Sequence, residues 1–454
     1  MDHLWFVFGQ LLSQSHTLVY HHFQSSGRQA WLNIESEVTQ SLIFRSFPHV
    51  FQQANRENRV NQWRISSSGN ASHDRKWVRI QSLVKHAMKI GSDFSRIDAW
   101  IRTAIMRNVV ELDLELYEYS NPPHPFVLPR SLFMCKTLVL LKLRLQSNFI
   151  ALAPASDCFP SLKFLHVDVV LPDADSMEKL FSCCPALEDL VIEGEPGYDS
   201  VLNFEVSAPK LKRLRISWYI VPFHQNYDRK VFINADVPSL EEFNLQENIL
   251  ANYSLKNAHS LSRAKIDLFG TVRDSADHIQ WLFAEIRNVK FLSLSAPVFG
   301  GPCSVYQYHL PTFNNLNHLE LLLQNCCSLR SVTNFLQISP KLEHLVFENS
   351  IHCYVCHFVD KSVHEWSPPD FVPACLLSHL KTIRIRGFQG LPDEMEVVEY
   401  LLKYGVVLNT ITICTLEYFC EEKEMKCPLL GRREEIKLFF YGYQNKRNLP
   451  GLKD

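Results

Sequence analysis

Glycine is scarce in this sequence, 15 residues in 454, against a usual share of about 7%. No Gly-x-Gly pair occurs among them, so the dinucleotide-binding fingerprint is absent. The Gly-x4-Gly-Lys phosphate loop, the Gly-x-Ser-x-Gly nucleophile elbow and the His-Glu-x-x-His zinc motif are absent too. The chain is therefore not expected to be an enzyme, and no cofactor is expected. A basic excess is also missing: 46 Lys and Arg stand against 48 Asp and Glu, a net charge of −2. Dedicated nucleic-acid binders carry a cationic surplus, so nucleic acid is not an expected partner. No apolar run reaches the ~18 residues that cross a bilayer, so no membrane association is expected. Leu4 to Leu12 is mildly apolar, but Asp2 precedes it, Gln10 interrupts it and no basic segment leads it, which argues against a secretory signal.

Apolar residues are plentiful, at 46%, enough to build a large core. At ~150 residues per domain the length suits about three domains or one long repeat array. The cysteines number 13, odd and irregularly spaced. That usage fits reduced, buried thiols and a cytoplasmic or nuclear location.

A six-residue pattern, apolar-x-x-apolar-x-apolar, settles the choice for a repeat array. It reads Val109/Leu112/Leu114, Leu138/Leu141/Leu143, Leu162/Leu165/Val167, Leu187/Leu190/Ile192 and Leu211/Leu214/Ile216. It continues as Leu240/Phe243/Leu245, a degraded Leu261/Ala264/Ile266, Val289/Leu292/Leu294, Leu316/Leu319/Leu321 and Leu342/Leu345/Phe347. Leu380/Ile383/Ile385 and Leu408/Ile411/Ile413 follow, and Val60/Trp63/Ile65 is an outlying first copy. Successive starts from Val109 lie 21 to 38 residues apart, mostly within or near the leucine-rich-repeat range.

The pattern has a direct physical reading. In a strand, residues two apart face the same side, so Leu214 and Ile216 point inward while Arg213 and Arg215 point out. The first apolar residue of each unit packs the turn that enters the strand. Each unit needs a return segment. Met177 to Phe181 behind Asp175 and Ser176, His278 to Ile286 behind Ser275 and Asp277, and Val332 to Leu336 behind Ser331 are expected to be helical. No unit buries its own apolar face, so neighbours must stack. The expected fold class is α/β: a leucine-rich-repeat solenoid with a concave parallel sheet.

After the repeats, Leu380 to Arg386 alternates as a strand. Pro392 opens a helix with Val397, Val398, Leu401 and Leu402 on its apolar face, and Gly405 is its expected C-cap. Leu408 to Ile413 and Ile436 to Tyr441 are the next strands. This block reads as the specialised end unit that covers the last repeat.

Several segments resemble plant F-box/LRR/FBD (FBD-associated F-box) proteins: Ser131 to Leu143, Leu180 to Leu190, Trp100-Ile101 followed by Arg107 to Leu114, and above all Val372 to Thr382 leading into Ile385 to Phe388 and Glu396 to Leu402. The last group is similar to the FBD domain. The resemblance covers roughly residues 60–445. It implies a protein-interaction protein resembling substrate-recognition subunits of SCF-type ubiquitin ligases, with an unknown protein substrate bound on the repeat surface. Family members usually open with an F-box that docks the ligase adaptor, beginning Leu-Pro-Asp-Glu and ending in a basic residue followed by Trp. Residues 1–59 show neither feature, although Leu4–Leu12 and Leu42–Phe51 suit short helices. The lone Leu391-Pro392-Asp393-Glu394 is the start of the FBD-like helix. The SCF adaptor is thus a partner only if a divergent F-box is present. The alternative is a non-catalytic scaffold, or a decayed family member without ligase contact. The expected organisation is an atypical N-terminal segment at 1–59, leucine-rich repeats at 60–365, an FBD-like domain at 366–445 and a tail at 446–454.

The expected partner surface is the outward face of the sheet. Lys142, Arg144, Phe164, His166, Arg213 and Arg215 are its candidate binding residues. Charges there change sign from strand to strand, so many are expected to satisfy one another, leaving Phe164 and His166 as the stronger candidates. Lys210, Lys212, Arg213 and Arg215 form a basic run, but Glu188, Asp189, Glu241 and Glu242 in adjacent units make a self-compensating face the better reading than a phosphate patch. Asp173 and Asp175 read as helix-start carboxylates. Cys353-x-x-Cys356 with His352 and His357 has zinc-like spacing, which His364 or Cys375 would complete. No second Cys-x-x-Cys supports it, so no metal is expected. Cys183-Cys184 and Cys326-Cys327 read as small buried thiols before strands.

Overall fold

Each repeat begins with a turn, and five of these turns share one chemistry. Pro160, Pro185, Pro209, Pro238 and Pro340 each occupy the second position of a four-residue turn, the place where a fixed φ near −65° is already correct. The closing hydrogen bonds run from Leu162 N–H to Phe159 O, Leu187 to Cys184, Leu211 to Ala208, Leu240 to Val237 and Leu342 to Ser339, at 3.0–3.2 Å. The fourth residue of the turn is the first apolar residue of the hexad, and it is buried in every unit from Val109 to Leu408. The next unit is tied on by a repeated pair of backbone hydrogen bonds. The carbonyls of Val139, Lys163, Glu188, Lys212, Glu241, Ser262, Lys290, Asn317, Glu343 and Lys381 each accept two N–H groups from the unit that follows.

In the computed structural model the described residues are 62–68, 77–84, 90–118, 125–145, 148–152, 158–196, 202–219, 231–248, 251–268, 276–295, 310–323, 329–349, 366, 368–388, 390, 392–415 and 437–442. All but Gln62 belong to one compact unit. Its main sheet contains fifteen strands: β1 (Gln62–Ser68), β2 (Trp77–Val84), β3 (Glu111–Glu118), β5 (Leu140–Leu145), β7 (Phe164–Val170), β8 (Asp189–Glu195), β10 (Arg213–Trp218), β12 (Glu242–Glu247), β14 (Arg263–Leu268), β15 (Phe291–Ser295), β16 (His318–Leu323), β17 (His344–Asn349), β18 (Thr382–Phe388), β19 (Thr410–Thr415) and β20 (Lys437–Gly442). From β2 onward all pairings are parallel, as repeated same-direction units require.

Register locks the hexads into two continuous rungs. One runs Leu112, Leu141, Leu165, Leu190, Leu214, Phe243, Ala264, Leu292, Leu319, Leu345, Ile383, Ile411. The other runs two residues ahead, from Leu114 through Ile216 to Ile413, and both are buried throughout. The degraded copy at Leu261/Ala264/Ile266 packs like the rest. The outlying copy is represented by the β1 backbone, while Val60 lies outside the described residues. β2, with Val78 opposite Leu112, is a further unit that lacks the first apolar residue of the hexad, Arg75 standing in its place.

The return segments are of two kinds. Seven helices are described: α1 (Ile90–Met106), α2 (Arg130–Phe133), α3 (Ala174–Ser182), α4 (Ala276–Glu285), α5 (Leu329–Gln337), α6 (Ala374–Ser378) and α7 (Pro392–Tyr404). The three expected return helices are present; α3 and α5 start earlier than their expected caps, and α4 starts at Ala276, between its two expected caps Ser275 and Asp277. In α3 the N-cap is Asp173, whose carboxylate accepts the Ser176 N–H at 2.9 Å, so Asp175 and Ser176 belong to its first turn. Ser331 likewise lies inside α5. Between α3 and α4 the chain returns through strands: β9 (Leu202–Ser207), β11 (Val231–Asp236) and β13 (Asn252–Lys256) form a parallel sheet, and before α3 the strand β4 (Phe126–Leu128) pairs with β6 (Phe149–Ala151). Phe204, Val206, Ile233, Ala235, Tyr253 and Leu255 are the buried face of that second sheet. Their period-two spacing is the signal that marks them as strands.

Among the buried acids Glu115, Glu247 and Glu394, one is fully enclosed. Glu247, which ends β12, is fully buried. Its carboxyl takes the Ala251 N–H at 3.0 Å and the Tyr253 hydroxyl, pinning the entry to β13. No cation meets it among the described residues, and burial holds its pKa well above the ordinary carboxylate range.

The FBD-like end continues the same rungs. α7 buries Val397, Val398 and Leu401, and Gly405 follows it, where a Cβ would stand 2.7 Å from the Leu401 carbonyl. Trp366 packs edge-on against Tyr400 at 5.4 Å. Gly387, at φ 72°, allows the bulge between Arg386 and Phe388.

Candidate functional site

Because inward residues alternate with outward ones, the sheet presents three outward rows. Across β3, β5, β7, β8, β10, β12, β14, β15, β16, β17 and β18 the first row reads Glu111, Leu140, Phe164, Asp189, Arg213, Glu242, Arg263, Phe291, His318, His344, Thr382. The second reads Asp113, Lys142, His166, Val191, Arg215, Asn244, Lys265, Ser293, Glu320, Val346, Arg384. The third reads Glu115, Arg144, Asp168, Glu193, Ser217, Gln246, Asp267, Ser295, Leu322, Glu348, Arg386. All six residues expected to bind a partner, Lys142, Arg144, Phe164, His166, Arg213 and Arg215, fall in these rows between β5 and β10.

From β3 to β10 the face is laced with charge. Arg144 bridges Asp113 at 2.8 Å and Glu115 at 3.1 Å. His166 Nε2 meets Glu193 Oε2 at 3.0 Å, and this bond holds the Glu193 carboxyl below its ordinary range. Neighbouring Asp168 shifts the other way, raised first by burial and then by repulsion from Glu193. Arg213 forks onto Asp189, with Nη2 to Oδ2 at 2.6 Å. Lys142 reaches over the Phe164 ring at 5.9 Å. At the strand entrance Glu188 sits between Lys163 and Lys212, both at 2.9 Å. The expected strand-to-strand compensation is therefore built, and it extends to Phe164 and His166, each of which already has an intramolecular partner.

From β14 to β18 the first row is a stack. The Arg263 guanidinium lies 4.3 Å from the Phe291 ring centroid. Phe291 stacks on His318 at 4.8 Å and 23°. His318 meets His344 at 5.8 Å, and His344 Nδ1 is 2.8 Å from Thr382 Oγ1. Desolvation within the stack lowers the His318 pKa, against the opposing pull of Glu320 at 3.4 Å. Sequence reasoning passed over this row. Its signal was available: positions directly before the second hexad apolar residue read Arg, Phe, His, His, Thr in five consecutive units.

Comparison with known proteins agrees with this geometry. A family model described as FBD-associated F-box protein At5g56370, LRR repeats, matches residues 97–299, and the FBD model matches residues 368–413. The Arabidopsis thaliana F-box/LRR-repeat protein At4g14096 is 32% identical over 342 residues, covering 71% of this chain and 68% of its own length. The chain belongs to the F-box/LRR/FBD family. FBD-associated F-box protein At5g56370 of the same plant is 30% identical over 336 residues, covering 72% of each chain. F-box/LRR-repeat protein At4g14103 is 34% identical over 295 residues, 60% of this chain and 72% of its own. No solved structure matches. Within this F-box/LRR/FBD chain the FBD-matched residues supply α6, β18, α7 and β19.

The remaining candidates resolve as follows. No group of three or more His, Cys, Asp and Glu is arranged to hold a metal among the described residues. Cys353, Cys356, His352, His357 and His364 lie outside those residues. Cys375 is buried, with its thiol directed to the Leu336 carbonyl at 3.3 Å, and burial pushes it up to about 12. Cys183 and Cys184 are buried before β8, with Cys183 pushed up to about 12 by burial and by Cys158. Cys326 and Cys327 lie outside the described residues. Lys212 and Arg213 are spent on Glu188 and Asp189. No described helix is long and apolar enough to cross a membrane.

Proposed function

We propose that this chain is a protein-recognition subunit that binds a protein partner on the outward face of its repeat sheet. The observation that carries this reading is the face itself: eleven described strands in register, β3 to β18, hold three rows of polar and aromatic side chains outward. A long, pre-formed, rigid surface suits protein recognition. We read the chain as non-catalytic and cofactor-free, in line with the missing phosphate-loop, nucleophile-elbow and zinc motifs of the sequence. Family membership supports a role resembling the substrate receptors of SCF-type ubiquitin ligases, in the cytoplasm or nucleus. Adaptor docking would fall to residues 1–59, which lie outside the described residues and carry no recognisable F-box motif. The repeats at 60–365 and the FBD-like domain at 366–445 would carry partner binding, with Phe164, His166, Arg213, Arg215, Lys142 and Arg144 as candidate contacts.

Affinity purification of the tagged 454-residue chain, beside a version lacking residues 1–59, tests the division of labour. The expected result is a partner retained by both versions and weak or absent adaptor. Stoichiometric adaptor lost on deletion would establish a divergent F-box. Loss of every partner on that deletion would remove the repeat face as the recognition surface.

A further inference from the structure

The two ends of the outward face treat their charges differently. On β3, β5, β7 and β8 the rows carry Glu111, Asp113, Glu115, Asp168, Asp189 and Glu193, and the cations among them are engaged: Arg144 by two carboxylates, His166 by Glu193, Lys142 over Phe164. On β14 and β18 the cations stand exposed at the margins of the stacked row. Lys265 and Arg384 make no ion pair among the described residues. Arg263 faces an aromatic ring instead of a carboxylate. Arg386 has only a 3.5 Å contact with Glu348. Between these margins lie Phe291, His318 and His344 in one row, Ser293, Glu320 and Val346 in the next, and half-exposed Leu322 in the third. The acids here, Asp267, Glu320 and Glu348, are fewer than the cations, and Glu320 is turned to His318.

We infer that β14 to β18 form the docking site for an extended acidic segment of a partner protein. This rests on the protein-recognition reading above and specifies its partner. Arg263 and Lys265 on one margin take carboxylates at one end of the segment, and Arg384 and Arg386 take those at the other. Aromatic or aliphatic side chains between them lie on the Phe291–His318–His344 stack. Four strand spacings of ~4.8 Å separate the margins, about 19 Å. An extended chain rises ~3.3 Å per residue, so the two acidic groups should be about six positions apart. Charge complementarity selects the acidic segment and sets its register, and the stack supplies the apolar contact.

The test uses the full 454-residue chain and a labelled peptide, Glu-Glu-Ala-Phe-Ala-Phe-Glu-Glu, measured by fluorescence anisotropy. Two comparison peptides carry Lys in place of Glu, or all four Glu at one end. A single-stranded oligonucleotide serves as a general polyanion. The expected result is saturable binding of the first peptide, weakened about tenfold by Arg384→Glu or Lys265→Glu. Asp113→Asn, on the other half of the face, should change it less than about twofold. Phe291→Ala should also weaken it, and the exposed charge reversals keep the test valid if that variant folds poorly. No binding, equal binding of the Lys peptide or the one-ended peptide, equal binding of the oligonucleotide, or indifference to both charge reversals would overturn the inference. A partner protein captured by the chain and lost through Asp113→Asn but not Arg384→Glu would overturn it too, while leaving protein recognition intact.

Discussion

The strands β3 to β10 and the strands β14 to β18 share one frame and differ in what they hold outward. Both sets have the same hexads, mostly the same turn bonds and the same buried rungs. The first set spends most of its outward charges on one another, through Arg144, His166 and Arg213, with exposed Arg215 making no ion pair there among the described residues. The second sets arginine on phenylalanine and histidine on histidine, and leaves Lys265 and Arg384 without carboxylates among the described residues. Sheet geometry imposes the inner residues on every unit alike, while the outer ones are free to vary. Differences in function are therefore to be sought in the outer rows.

If the frame is common to both sets, damage to it should be equally costly in either. Leu214→Ala and Leu319→Ala remove fully buried side chains from the same rung. Each is expected to cost about 2–5 kcal/mol, and denaturant titration should place the two within about 1 kcal/mol of each other. A much smaller loss at Leu319 would mean that the second set is more loosely packed, and the comparison of faces would have to be redrawn.

The outer rows should differ in how salt affects them. Arg144→Met removes the bridges from Arg144 to Asp113 and to the largely covered Glu115, at an expected cost of about 1–3 kcal/mol. That cost should shrink when the salt concentration is raised, because the charges are partly exposed. Phe291→Ala removes stacking and apolar contact, about 1 kcal/mol beyond the lost area, and salt should leave that loss nearly unchanged. Stability curves for both variants at low and high salt provide the measurement.

The frame was legible in the sequence because burial punishes deviation. A polar residue at Leu190 or Ile216 would lose its water without gaining a partner, so the hexad persists in the units from Val109 to Ile413. The second sheet was harder to see. Leu202, Phe204 and Val206 alternate correctly, but short apolar alternations between repeats are equally consistent with loops until the neighbouring strands β11 and β13 are in place. The stack was hidden for a different reason. Arg263, Phe291, His318 and His344 are 28, 27 and 26 residues apart, and only parallel register brings them side by side. The ion pairs were foreseeable as alternating signs, but their use of Phe164 and His166 was not. Which carboxylate a histidine chooses depends on the row it occupies, and His166 takes Glu193 from the third row.

Glu247 lies on β12, between the two sets, and its effect should depend on pH. Burial raises its pKa in the folded chain. The folded state therefore binds a proton that the unfolded state releases above about 4.3. Stability is fully present below that pH and is lost as pH climbs toward the raised folded value. Glu247→Gln keeps an acceptor for the Ala251 N–H and cannot ionise. It should stabilise the chain by about 1 kcal/mol at pH 8, and thermal melts should show the gain vanishing toward pH 4.5. An unchanged or lower melting temperature at pH 8 would show that the carboxylate is stabilised in a way the two hydrogen bonds do not explain.

The smallest effect belongs to the exposed bridge at the entrance to the first set. Glu188 lies between Lys163 and Lys212, and hydrogen bonds from both ammonium groups hold its carboxyl at about 2. A depressed acid stabilises the fold above its unfolded pKa and loses that contribution as pH falls toward the depressed value. All three side chains are solvated, however, and surface pairs of this kind add little to stability. The expected outcome is a separation of two readouts. In Lys212→Ala, the Glu188 carboxyl followed by carbon-detected NMR should titrate at a higher pH than in the parent chain, because Lys163 alone remains. Replacing both lysines should return it to the ordinary glutamate range. Neither change should move the melting temperature at pH 7 measurably. If Lys212→Ala lowers the melting temperature as much as Arg144→Met does, the entrance bridge is part of the load on the frame, and exposure is a poor guide to which charges on this sheet matter.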